Sequence, residues 1–172
     1  MTEVHDVRFR SYEPRDALAV KDLNVAALKS IYPPYRNGPW NGDLDEIEVR
    51  YLDGGDFIVG TLDSMVIAMG ALRRVSDAVA EIKRVGVAPD YQGRGIGRAL
   101  LATMEARAAE LGFNTIVLDT TETQLVAQHL YRNHGYVEND RKPVVYSPEV
   151  TLETIFYTKA LAPQARAEVS RS

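Results

Sequence analysis

The residues with the clearest chemical character lie in the run Val85-Gly86-Val87-Ala88-Pro89-Asp90-Tyr91-Gln92-Gly93-Arg94-Gly95-Ile96-Gly97-Arg98. Glycines alternate at positions 93, 95 and 97, so the backbone there can approach an anion to hydrogen-bonding distance. A long segment of helical periodicity follows. The first turn of a helix has unpaired N–H groups and a partial positive charge. Turn and helix together make a cradle for phosphate or pyrophosphate, with Arg94 and Arg98 adding charge at its rim. Two other phosphate loops do not fit. A P-loop needs Lys and then Ser or Thr after its last glycine, and here Arg98-Ala99 follows. A dinucleotide fingerprint needs glycine where Arg98 or Leu100 stands, counted from Gly93 or Gly95.

The elements around this run can be read from periodicity. Val4 to Ser11 alternates as a strand, and Pro14 opens a helix with Leu18, Leu23, Ala27, Leu28 and Ile31 at helical spacing until Pro33 and Pro34. Tyr32 to Gly42 is a loop rich in aromatics, either a lid on the core or a wall of an acceptor pocket. Leu44 to Leu52 reads as an acidic helix, and Phe57–Gly60 with Met65–Leu72 as a hairpin around Asp63-Ser64. Val79 to Val87 is the strand that feeds the glycine turn. Gly95 to Leu111 is a helix burying Ile96, Ala99, Leu100, Met104, Ala108 and Leu111, stopped by Gly112. Thr115 to Leu118 is a short strand. Thr121 and Gln124 resemble a capping box for a helix that ends near Asn133 and Gly135. Strands near Tyr136–Glu138 and Leu152–Tyr157 complete an α/β chain with a mixed sheet flanked by helices.

Bulk properties narrow the class. The 172 residues suit one domain, expected over 1–161, with a fraying tail at 162–172. Hydrophobic residues make up 45% and charged residues 26%, the proportions of an ordinary globular protein. No run approaches the roughly 20 apolar residues of a membrane span, and the first ten residues show no secretory pattern, so a cytoplasmic location is expected. There is no cysteine, which removes thiolate nucleophiles and Cys-ligated metals. The net charge of −4 argues against a general nucleic-acid binder and, beside a basic glycine-rich segment, for a small anionic ligand. His5, His129 and His134 are not spaced as a ligand set, so no metal is expected.

Gln92-x-x-Gly95-x-Gly97 resembles the Q/R-x-x-G-x-G/A motif of the GNAT superfamily of acyl-CoA-dependent N-acyltransferases. The strand Glu81–Val87, the Ala88-Pro89 step, the long helix, the strand to Asp119 and the ending Leu130-Tyr131-Arg132-Asn133-His134-Gly135-Tyr136 stand in family order, so the resemblance covers roughly Phe57 to Tyr157. It implies a splayed sheet with acetyl-CoA, the acyl donor, lying in the opening. The backbone of Val85, Gly86 and Val87 would then pair with the pantetheine arm. Gln92, Gly93, Arg94, Gly95, Ile96, Gly97 and Arg98 would surround the pyrophosphate. Gln124 stands where many family members have an Asn that contacts the donor; it is one methylene longer. The resemblance also implies a homodimer as a common arrangement, which the sequence does not fix.

Acyl transfer to an amine needs two proton movements. An amine with a pKa of about 10.4 must be neutral to attack, at a cost of roughly 4 kcal/mol near neutral pH, and the leaving thiolate must gain a proton. Tyr131 resembles the family's general acid; the alternative is a buried core tyrosine. Glu81, eleven residues before Gln92, resembles the catalytic Glu of the histone-acetylating branch; the alternative is a strand residue paired with Lys83. Asp119 is a second candidate base, or an orienter of the acceptor. The acceptor pocket is expected to be lined by Tyr32, Tyr35, Trp40 and a loop from Arg141 to Glu149 carrying Tyr146. Aromatics with few acids point to a small-molecule or amino-acid amine. Acetylation of a protein Lys or N-terminus, or a non-catalytic acyl-CoA sensor, are the rival readings.

Overall fold

The computed structural model describes residues 4–32 and 38–163. Tyr35, the Pro33-Pro34 stop and most of the expected tail lie outside the described residues. Seven strands form one sheet: β1 (Arg8–Ser11), β2 (Asp56–Leu62), β3 (Met65–Arg74), β4 (Val79–Val87), β5 (Thr115–Thr121), β6 (Val137–Ser147) and β7 (Val150–Ala160). Their order is β1-β2-β3-β4-β5-β7-β6, and among the described residues only β4 and β5 pair in parallel. The helices are α1 (Ala17–Lys29), α2 (Ile47–Arg50), α3 (Ile96–Glu110) and α4 (Leu125–Asn133). This is the expected mixed α/β sheet flanked by helices.

Two apolar clusters sandwich the sheet. Val20 and Leu23 of α1 pack with Leu44, Ile47 and Tyr51 on Phe57, Val59, Met69 and Ala71. On the other face Ile96, Leu100, Leu101, Met104 and Ala108 of α3 pack on Ile58, Leu72, Ile82, Ile116 and Leu118. Leu100, Leu101 and Met104 are fully buried, and each contributes about 1.5–3 kcal/mol of transfer free energy. Gly70 is part of this fit, since a Cβ there would run into the Met104 sulfur.

Several sequence expectations need correction. The first strand is shorter, because Val4–Asp6 is a 3-10 turn and the partner strand runs out one residue beyond Thr61, which faces Arg8. Leu18 and Ile31 are exposed; the buried face of α1 is Val20, Leu23, Asn24 and Ala27. The expected helix at 44–52 is a 3-10 helix over Pro39–Asp45 followed by the single turn α2. No capping box forms at Thr121, which ends β5; α4 starts at Leu125, and Gln128 Nε2 instead donates to the Thr121 and Glu122 carbonyls at 3.0 Å each. The expected 141–149 loop is mostly strand: β6 and β7 form a long hairpin that closes tightly, with Ser147 facing Val150.

Candidate active site

The sheet opens along the part of β4 that leads into the glycine turn. β4 and β5 pair at Val79–Thr115, Ala80–Ile116 and Glu81–Val117; among the described residues there is no pair beyond that. The remaining six residues of β4 and four of β5 therefore diverge, leaving one backbone edge of each without a strand partner. Such an edge can pair with an extended ligand. Val85, Gly86 and Val87 lie on this part of β4. Within it, the Val87 carbonyl accepts the Gln92 side-chain amide at 3.0 Å, so Gln92 closes the turn on itself.

The glycine turn sits at the mouth. Gly93 and Gly95 are left-handed, at φ +73° and +79°, a conformation that favours glycine. A Cβ at Gly93 would meet nothing within 4 Å, and residues 92–95 are exposed. Gly95 caps the fifteen-residue helix α3 with no side-chain hydrogen bond, leaving the first-turn amides, from Ile96 onward, to another acceptor. Arg94 is tied back to the Asp90 carbonyl at 2.9 Å and lies over the Tyr91 ring, while Arg98 is exposed. An open edge, a turn with two left-handed glycines and free helix amides fit the arm and pyrophosphate of an acyl-CoA. On the β5 side the Thr120 hydroxyl is buried without a partner among the described residues.

Tyr131 of α4 is 5% exposed and stacks against Tyr136 and Tyr157, ring centroids 5.9 and 6.1 Å away. Burial raises its phenol, with the charges of Asp119 and Tyr157 adding to the rise, so the hydroxyl keeps its proton. Asp119 faces Phe156 across β5 and β7. Burial raises its carboxyl too; Lys83 opposes this and Glu81 adds to it. Glu81 is engaged differently. Its carboxylate takes two hydrogen bonds from Arg73, the one from Nε at 2.9 Å, and lies 3.9 Å from the Lys83 ammonium. Glu81, Asp119, Asn139, Phe156 and Thr158 line a small cavity on the sheet face away from α3.

The expected acceptor residues separate into groups. Tyr32 reaches across to the end of β5, where its hydroxyl meets Thr121 and accepts the Gln124 amide at 3.0 Å. Gln124 is thus engaged with Tyr32, a partner the spacing alone could not show. Tyr146 lies on β6 and shares a hydrogen bond with Thr154 at 3.1 Å; burial, chiefly, raises its phenol, with Asp119 and Tyr32 contributing. Trp40 lies on the 3-10 helix, half-exposed, against Gly38, where a Cβ would strike its ring.

Sequence reasoning missed Arg84. It lies in β4 at φ +58°, a conformation that costs a non-glycine residue about 1–3 kcal/mol. Its guanidinium binds Asp43, with Nη2 2.5 Å from Oδ1 and Nε 2.9 Å from Oδ2. Burial works against the charge of Asp43, but the hydrogen bonds from Arg84 and Tyr51 outweigh it and hold the carboxyl below its usual range. An Arg inside a strand reads as a solvated face, and nothing local signals a positive φ.

Among the described residues no helix is long and apolar enough to cross a membrane. Comparison with known proteins agrees with the geometry. N-acetylaspartate synthetase of Xenopus tropicalis is 33% identical over 97 residues, 55% of this chain and 36% of that protein. Amino-acid acetyltransferase of Azotobacter vinelandii is 37% identical over 90 residues, 52% of this chain and 20% of that protein. The chain thus spans about a third or less of the length of these relatives. A GNAT-family acetyltransferase structure from Staphylococcus aureus superposes with a TM-score of 0.79 at 22% identity, covering 91% of this chain and 99% of that one, and so shares its fold. The family profile described as "Acetyltransferase (GNAT) family" matches residues 25–136, about two thirds of the sequence, and the chain belongs to that family.

Proposed function

We propose that this protein moves acetyl from acetyl-CoA directly to the primary amine of a small molecule or amino acid. The observation that carries this reading is the divergence of β4 from β5 beyond Glu81 and Val117, with the glycine turn at its mouth. The acyl donor, as substrate, supplies an activated thioester carbonyl. Val85, Gly86 and Val87 offer backbone groups along its arm, and an N–H of this stretch polarises the carbonyl. Gln92 through Arg98 hold the pyrophosphate, with Gln124 at the β5 side.

Of the two candidate bases we favour Asp119. Its carboxyl is raised by burial and so moves toward the pKa that proton abstraction from an amine needs. Glu81, whose Oε2 takes both Arg73 hydrogen bonds, is the second candidate and acts through water. The amine nitrogen bonds to the carbonyl carbon as the carbon–sulfur bond breaks; the amine proton goes to the base and the Tyr131 proton to the thiolate. Two relatives named for amino-acid products or acceptors support an amino-acid amine. A cytoplasmic setting fits the supply of acetyl-CoA.

The test is calorimetric titration with acetyl-CoA and CoA, followed by an amine screen led by amino acids. Gly97→Glu is the informative variant. Gly97 lies in α3, and a Cβ there meets Leu130 and Val87 at ordinary contact distances of 3.6 and 3.9 Å, so the substitution starts without backbone strain. It brings bulk and negative charge to the pyrophosphate. Micromolar binding by wild type and its loss in the folded variant is expected. No binding by folded wild type refutes the reading.

A further inference from the structure

The β4 strand carries a bulge at a consequential place. Lys83 pairs with Ala71 and Gly86 with Met69, so Arg84 and Val85 together face the single residue Gly70. Arg84 is the left-handed residue of this bulge and directly precedes the Val85–Val87 stretch. Glycine would adopt that conformation freely. Arginine adopts it here with its side chain only 16% exposed and held on several sides.

The anchors come from one wall of the molecule. Besides the two bonds to Asp43, Nη1 donates to Asn41 Oδ1 at 2.9 Å and Nη2 to the Trp40 carbonyl at 3.0 Å. Asn24 of α1 lies 3.5 Å from Nη1. Asp43 is itself fixed by the Tyr51 hydroxyl at 2.5 Å. The planar fork of the guanidinium meets a bidentate carboxylate plus two further acceptors, an arrangement an ammonium cannot reproduce. The direction of the Arg84 side chain and the sense of its backbone are therefore set by the same contacts. The next peptide N–H is that of Val85.

We propose that Arg84 is a positioning residue for acyl transfer: anchored by Asp43 and Asn41, it holds the left-handed turn of β4 and so aims the Val85–Val87 backbone at the thioester carbonyl. This rests on the reading of the β4–β5 opening as the acyl-donor site. It joins the 3-10 helix that carries Trp40 to the carbonyl-polarising strand as one unit. The simpler role is a staple that only fixes the 3-10 helix to the sheet.

The two roles differ in what happens to the bound carbonyl. Wild type, Arg84→Gly, Arg84→Lys and Asp43→Asn are each loaded with carbonyl-13C acetyl-CoA. The carbonyl band is then read by isotope-edited infrared spectroscopy, with affinity by calorimetry. Wild type is expected to shift the band to lower frequency than in free acetyl-CoA. Arg84→Gly keeps the permitted backbone conformation but loses the anchor. It and Asp43→Asn should bind within about threefold of wild type yet lose at least half of the shift, with Arg84→Lys recovering only part of it. Asp43→Asn carries the test if Arg84→Gly does not fold. A full wild-type shift in folded Arg84→Gly or Asp43→Asn overturns the proposal, as does a wild type that binds without any shift. Absence of binding by folded wild type overturns it together with the reading it rests on, and calorimetry alone distinguishes that case.

Discussion

The side-chain amide of Gln124 donates to the Tyr32 hydroxyl at 3.0 Å, joining the segment after α1 to the start of α4 across the opening between β4 and β5. The N–H so engaged, and the orientation it imposes on the amide, are not available to a bound acyl donor. Removing the hydroxyl with Tyr32→Phe should release it. A hydrogen bond of this kind is worth about 0.5–1.5 kcal/mol, so acetyl-CoA should bind roughly 2- to 12-fold more tightly. In a Gln124→Ala background the same change should leave affinity unaltered. Calorimetry on the four proteins of this cycle checks both statements. Equal effects of Tyr32→Phe in the two backgrounds would remove Gln124 from the donor site.

Asp119 links stability and activity with opposite signs. Burial raises its carboxyl in the folded protein above the ordinary value of 3.8, Lys83 opposing and Glu81 adding. Between the ordinary and the raised value the folded state binds more protons than the unfolded state. Stability therefore falls as pH rises through that window, and the deficit persists above it. Asp119→Asn removes the deficit. Its Tm should exceed that of wild type at about pH 7, and the gap should close as pH falls to about 3.5. Turnover should move the other way, with kcat about 10²- to 10⁴-fold lower. Scanning calorimetry at the two pH values and a rate assay suffice. A larger rate loss in Glu81→Gln would transfer the base role to Glu81.

Tyr131→Phe separates the proton from the packing. The ring sits edge-on to Tyr136, and Phe keeps that contact and nearly all the volume. Acetyl-CoA affinity should stay within about twofold, while kcat drops about 10²-fold because the thiolate loses its donor. An unchanged kcat would leave Tyr131 a core residue and assign protonation of the thiolate to another group or to water.

Where apolar periodicity and special backbone coincide, the sequence was legible. β4 has the bounds that Val79–Val87 suggested, and Asp63 and Ser64 adopt the positive φ values of a tight hairpin turn. The glycine turn and α3 follow as expected. β6 was not legible beyond its start, since nearly every residue of this edge strand is exposed and the alternation that marks a half-buried strand is missing. Thr121 and Gln124 have the spacing of a cap, but tertiary contacts won: β7 extends β5 to Thr121, and Tyr32 takes the Gln124 amide. Of the candidate site, Tyr131 and the glycine turn were readable as residues. The Arg73 bridge to Glu81 was not, because only the register of β3 against β4 sets them opposite, and the Arg84 anchor was not, because it joins β4 to a 3-10 helix some forty residues away in sequence.

The ion pair between Arg10 and Asp16 ties β1 to the start of α1 and gives a stability prediction independent of catalysis. Asp16 is 5% exposed and accepts Arg10 Nη1 at 2.7 Å, Arg10 Nη2 at 2.9 Å and the Glu13 N–H at 2.9 Å. The hydrogen bonds from Arg10 lower its carboxyl, burial opposes, and the Glu13 N–H adds to the lowering. A lowered carboxylate contributes stability that is fully present above the ordinary value of 3.8 and is lost as pH falls through the lowered folded value. Breaking a buried pair costs about 3–5 kcal/mol. Arg10, with 31% of its side chain exposed, can recover water when its partner is lost, so Asp16→Asn should cost less, about 2–3 kcal/mol near neutral pH. Urea denaturation of wild type and variant across the acid range should give stability curves that converge as Asp16 becomes protonated. Curves that stay parallel to the lowest pH at which both fold would assign the stabilisation to the hydrogen-bond geometry of the side chain and not to its charge.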